Sequence, residues 1–103
     1  MDPHRLAEER SLALHQAVVR AIREDDTIVD RALSRVRAHR AEGLLAGPWA
    51  DAWEALLLGP RAALLGALQD PSEAGRALRQ TTPFTFVVPP RERWQIWREV
   101  ARR

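Results

Sequence analysis

The chain has no cysteine, no lysine, no asparagine and no tyrosine. Without cysteine, neither a disulfide nor a thiolate metal site can form. Its three histidines, His4, His15 and His39, are widely spaced and make no His-x3-His pair, so neither a metal nor a cofactor is expected. Long apolar runs are missing as well: stretches such as Ala55-Leu-Leu-Leu58 fall far short of the roughly 20 residues a membrane span needs. The opening Met1-Asp2-Pro3-His4-Arg5 is polar and gives no apolar signal region, which predicts a cytoplasmic protein without membrane contact. Ser11, Ser34 and Ser72 lack the glycine context of a nucleophile elbow, and the five glycines read as helix punctuation instead of a phosphate-binding loop. No catalytic machinery is expected.

What is present is alanine, leucine and arginine. The 103 residues are 46% hydrophobic and 29% charged, an ordinary balance for one small globular domain spanning residues 1–103. All 16 basic residues are arginine, against 14 acids, for a net charge of +2. That skew suggests a GC-rich bacterial genome more than a function. The distribution of charge says more. Residues 1–42 are balanced at eight arginines and eight acids, whereas residues 76–103 carry seven arginines against two acids. The positive charge belongs to the C-terminal segment.

Helix signals punctuate the first eighty residues. Asp2-Pro3 is an N-cap followed by proline at the first helical position, and nothing breaks the helix until about Arg23. Leu12, His15, Val19 and Ile22 mark its apolar stripe, with Leu14, Val18 and Ala21 beside them. Thr27-Ile-Val-Asp30 reads as a capping-box variant opening a second helix, which Gly43 should end in the left-handed conformation. Gly47-Pro48 opens a third, with Trp49 and Trp53 as core residues, and Gly59 closes it. Pro60 opens a fourth, with Leu64, Leu65 and Leu68 inward. Asp70-Pro71-Ser72-Glu73 reads as N-cap, first-position proline and third-position Glu of a fifth, packing through Ala74, Ala77 and Leu78. The expected fold class is all-α, a small bundle of five to six short helices.

The pattern changes at Thr81. Residues 81–90 hold three prolines, two phenylalanines and several β-branched residues, which disfavour helix and predict an extended segment, at most an edge strand. A last helix should follow, with Trp94, Trp97, Val100 and Ala101 on one side and Arg91, Arg98 and Arg102 on the other. Residues 81–103 therefore read as an extended arm plus an amphipathic helix, and deletion from residue 83 onward should leave the other helices folded. Arginine and aromatic residues are enriched at protein interfaces, so Arg79, Pro83, Phe84, Phe86, Arg91, Arg93, Trp94, Trp97 and Arg98 are the candidate partner-binding residues. Whether Phe84, Phe86 and Trp94 face a partner or their own core is open at this point. The same composition also suits nucleic acid, with arginines on phosphates and indoles on bases, although Glu92 and Glu99 interrupt the cluster. A homodimer contact is a further possibility.

Two stretches carry a resemblance. Glu9-Arg-Ser-Leu-Ala-Leu-His15, together with Leu78-Arg-Gln-Thr-Thr-Pro-Phe84 and Pro90-Arg-Glu-Arg-Trp-Gln-Ile-Trp-Arg-Glu99, resembles small uncharacterised helical bacterial proteins of similar length. The architecture of a compact helical module with a basic, aromatic tail is similar to that of antitoxins, which lay a segment across a toxin's active site. That likeness implies a protein partner, possible anchors in Trp94 and Trp97, and pairing of Arg79, Arg91 and Arg93 with partner carboxylates. Arg10 and His15 also match the Arg-x4-to-6-His spacing of HEPN ribonucleases, the enzymatic alternative. Ser11 stands where that family usually has a more polar residue, and a chain this rich in arginine yields such a spacing by chance.

Overall fold

The computed structural model describes residues 1–103 and contains six α-helices: α1 (Pro3–Glu24), α2 (Thr27–Ala41), α3 (Gly47–Leu58), α4 (Arg61–Leu68), α5 (Glu73–Gln80) and α6 (Pro90–Ala101). There is no strand. No helix is long and apolar enough to cross a membrane.

Local chemistry explains most of the boundaries. Asp2 caps α1 by accepting from the Arg5 N–H at 2.9 Å, with Pro3 at the first helical position. Gly43, at φ +73°, turns the chain after α2 in the left-handed region that glycine enters without Cβ strain. Two caps differ from the sequence expectation. Thr27 does not cap α2; its N–H and hydroxyl both bond to the Asp25 carboxylate, and Asp26 holds the cap position without a side-chain bond. At α5 the cap is Ser72, whose hydroxyl accepts from the Gly75 N–H. Asp70 instead braces the turn ahead of it, accepting from the Ser72 N–H at 2.9 Å and hydroxyl at 2.8 Å.

Helix α1 is the hub, packing against α2, α4, α5 and α6, while α2 lies along α3. Eighteen buried apolar residues form one core. Its α1 contribution is Ala13, Ala17, Val18, Val19 and Ile22, with His15 buried among them; Leu12 of the expected stripe is only half-buried. Trp53 is fully buried and Trp49 half-buried, and Leu64 and Leu68 fill the space beneath α4.

Helix α5 packs by a different face from the expected one. Its buried positions are Gly75 and Arg79, whereas Ala74 is exposed and Ala77 and Leu78 are half-buried. The reason is close approach: a Cβ on Gly75 would collide with the Asp70 carbonyl oxygen. The Arg79 side chain runs along the same surface and donates from Nη1 to that oxygen at 2.5 Å.

The C-terminal segment is not a separable arm. Between α5 and α6 the chain turns tightly, with the Val87 N–H bonded to the Phe84 carbonyl at 3.2 Å. Phe84, Val88, Ile96 and Val100 all belong to the core. The inner side of α6 is Ile96 and Val100 flanked by half-buried Trp97 and Arg93, so Trp94 and Ala101, expected on that side, are exposed. Arg93 fits there because its stem lies against the protein while its head donates to the carbonyls of Thr85 (3.1 Å) and Val88 (3.4 Å).

Candidate functional site

The stretches singled out in the sequence converge where α1, the end of α5 and α6 meet. Thr81 and Thr82 make the junction. His15 Nδ1 lies 2.7 Å from the Ser11 carbonyl, which can only accept, so Nδ1 carries the proton. Nε2 is then an acceptor, and the Thr82 hydroxyl donates to it at 2.8 Å while itself accepting from the Phe84 N–H at 3.1 Å. Next door, Trp53 Nε1–H donates to the Thr81 hydroxyl at 2.9 Å, which donates on to the Leu78 carbonyl at 2.9 Å. Two adjacent threonines, with the Ser11 carbonyl, thus satisfy the polar atoms of two fully buried rings, as buried polar groups require. Much of the Leu78–Phe84 stretch is committed to the protein's own fold.

His15 is 1% exposed, and this burial holds its pKa below the ordinary 6.5, with the Arg79 charge adding to the effect and the Ser11 hydrogen bond opposing it. A histidine that resists protonation when folded binds a proton more readily when unfolded. Stability is therefore full above the unfolded value and falls as pH drops below 6.5 towards the folded value. We expect wild-type stability in urea to fall over that window by at most about 1.4 kcal/mol per pH unit. His15→Gln should flatten this part of the profile; an unchanged profile would mean that His15 is not the titrating group.

The nine residues expected to contact a partner separate into three groups of three, buried, half-buried and exposed. Arg79, Pro83 and Phe84 are buried, and Phe84 meets the Trp53 ring edge-to-face at 6.0 Å. Phe84 belongs to the core, Pro83 is buried beside it and the Arg79 guanidinium is bonded to the Asp70 carbonyl, so none of the three joins an exposed protein-docking face. Phe86 is half-buried against α2, with the guanidiniums of Arg31 and Arg35 4.4 and 5.3 Å from its ring centre. Arg93 is tied to its own backbone carbonyls. Arg91, Trp94 and Arg98 are exposed, and Trp97 is half-buried beneath the Arg10 guanidinium, which lies 5.6 Å from its ring centre.

Trp94, at 65% exposure, is the one aromatic residue left largely in solvent. With about 3.6 residues per turn, Arg91, Trp94, Arg98 and Arg102 share one side of α6. Glu92 and Glu99 lie on the other flank of the exposed surface, so they do not interrupt the stripe as they do in the linear sequence. Pro90, Arg93, Trp94 and Trp97 enclose a shallow hollow at its edge.

Sequence reasoning missed Arg10 as a neighbour of Trp97, and Ser11 as the partner of His15. Ser11 and His15 are one helical turn apart, a spacing the sequence does show, whereas Trp97 lies far from Arg10 in the chain. No group of three or more His, Asp or Glu side chains gathers at metal-binding distance. No protein-family model, curated protein or solved structure matches this chain.

Proposed function

We propose that the protein is a non-catalytic protein-binding module whose contact surface is the outer side of α6, and that its partner presents an acidic face. The observation that carries this reading is Trp94, 65% exposed in a stripe with Arg91, Arg98 and Arg102 that contains no acid. Tryptophan and arginine are the residues most enriched among interface hot spots, and Trp94 lies outside the core. A second copy of the same chain fits this stripe poorly, because a two-fold contact would set arginine against arginine.

The antitoxin likeness is kept in modified form: the partner is a bacterial toxin or another enzyme, met by a rigid helix face and not by a detachable arm. A ribonuclease using Arg10 and His15 is disfavoured, because both ring nitrogens of His15 are engaged and the ring is buried. The same reading takes the protein as a bacterial, cytoplasmic one, its bacterial origin resting on a lysine-free, alanine- and arginine-rich composition.

The test is capture on immobilised full-length protein from extract of the source cell, with and without nuclease treatment, wild type beside Trp94→Ala/Arg98→Glu. Interface hot spots contribute about 2 kcal/mol or more each, so the double variant should retain at least about thirty-fold less of one protein. Its melting temperature should stay near that of the wild type, since neither side chain is in the core. Equal retention by both would sink the reading. So would capture of nucleic acid alone, with affinity falling steeply with salt.

A further inference from the structure

A second concavity, on the inner side of Trp97, is carried by different residues. It lies between α1, the end of α5 and Trp97 in the second half of α6, with a volume of about 270 Å3. Ala7, Leu14 and Trp97 supply apolar wall; Ser11, the His15–Thr82 pair, Arg10 and Arg79 supply the polar part, and no acid lines it. Two of those side chains are cations that make no close ion pair, and Arg79 feels the carboxylates of Asp70 and Glu8 only at longer range. Arg79 is 3% exposed, yet its guanidinium has one protein acceptor, the Asp70 carbonyl, and its Nε is buried with none. Arg10 lies over Trp97, makes no ion pair, and its Nε is likewise buried without a partner.

The nearby acids are engaged elsewhere: the Asp70 carboxylate accepts from the Ser72 N–H and hydroxyl. Glu8 pairs with Arg76 at 3.3 Å and Glu9 with Arg103 at 3.0 Å. A guanidinium held out of water without a carboxylate is costly, and a planar anion bonded to it relieves that cost. We propose that this concavity binds a carboxylate carried on an apolar body, with Arg79 and Arg10 holding the carboxylate and Leu14 and Trp97 the body.

Carboxylate is favoured over phosphate by what surrounds the arginines. Phosphate sites draw on backbone N–H groups at helix N-termini or in glycine nests. Here the backbone is the middle of α1 and the C-terminal end of α5, whose dipole is negative and disfavours a dianion. The apolar wall has no use for a bare phosphate either. Such a carboxylate belongs either to a small free acid or to the end of a peptide chain.

Titration of the 15N-labelled full chain, followed by amide and indole shifts, separates these cases. Phenylacetate and acetyl-Gly-Gly-Phe with a free carboxyl end are the two probes; phenylacetamide, the amidated peptide and inorganic phosphate are the controls. At least one carboxylate should give saturable shifts at the Trp97 indole and at Ser11 and Thr82, and the controls should not. Tighter binding of phenylacetate marks a free acid as the ligand, and tighter binding of the peptide marks a chain end. Arg10→Gln, whose side chain lies outside the core, should weaken binding about ten-fold or more, as expected for loss of a charge-assisted contact. Trp94→Ala should leave it unchanged, so this site stands or falls separately from the outer face of α6. Equal response to acid and amide, phosphate binding as well as the carboxylates, an unaffected Arg10→Gln, or no saturable shift at all would overturn the proposal.

Discussion

Removal of residues 81–103 is expected to unfold the protein, not to trim an arm from it. The deletion takes Phe84, Val88, Ile96 and Val100 out of the core. It also strips the Trp53 indole and the His15 ring of their threonine partners. Loss of one buried phenylalanine side chain costs about 3–5 kcal/mol, and each buried polar group left unsatisfied adds about 1–3 kcal/mol. A small domain has only about 5–15 kcal/mol of total stability. Far-UV circular dichroism of the 1–80 fragment should show little helix and no cooperative melt. A fragment that melts cooperatively with near-native helicity would show that α6 is an appendage after all.

The second large effect is at Phe84 itself. Phe84→Ala should destabilise the full chain by about 3–5 kcal/mol in urea, with the slope of the transition unchanged. The ring is 1% exposed and packs edge-to-face on Trp53 at 6.0 Å, so its removal leaves a cavity beside the largest core side chain. Phe86→Ala, two residues on, should cost far less. That ring is half-buried and its specific contacts are two arginines at the surface, a kind of interaction that contributes about 0.5–1 kcal/mol when exposed. Similar losses at the two positions would contradict the assignment of Phe84 to the core and Phe86 to the rim.

These two phenylalanines illustrate what the linear sequence conveys. Helix ends at Asp2-Pro3, Gly43 and Gly47-Pro48 were legible because capping and left-handed turns are local chemistry. The all-α class followed from the same signals. The buried sides of α5 and α6 were not legible. In α5 the inward residues are Gly75 and Arg79, whose burial depends on how closely the Asp70 turn approaches. In α6 two stripes compete, one through Trp94 and Ala101 and one through Arg93, Ile96 and Val100. The second is inward: Ile96 and Val100 join the core, and Arg93 is accommodated beside them by acceptors at Thr85 and Val88, which periodicity does not reveal. The prolines correctly marked residues 81–90 as non-helical. That the segment folds back through a turn at Phe84–Val87 depends on Trp53 and His15, many residues away.

The candidate surface changed accordingly. Of nine residues picked for type, three are interior, and the exposed stripe emerges only when Glu92 and Glu99 are set on their own flank of the helix. Composition pointed to α6; helical geometry separates its exposed Trp94 side from its buried Ile96 and Val100 side.

The account holds that α6 has two uses, an inner side that completes the core and an outer side that meets a protein. Hydrogen–deuterium exchange on the full chain, alone and with the captured partner, tests both together. Alone, the amides of α6 should open only with the rest of the core. In the complex, added protection should centre on residues 90–98. Exchange of α6 far faster than α1 in the free protein, or a complex that protects other helices and leaves α6 unchanged, would contradict it.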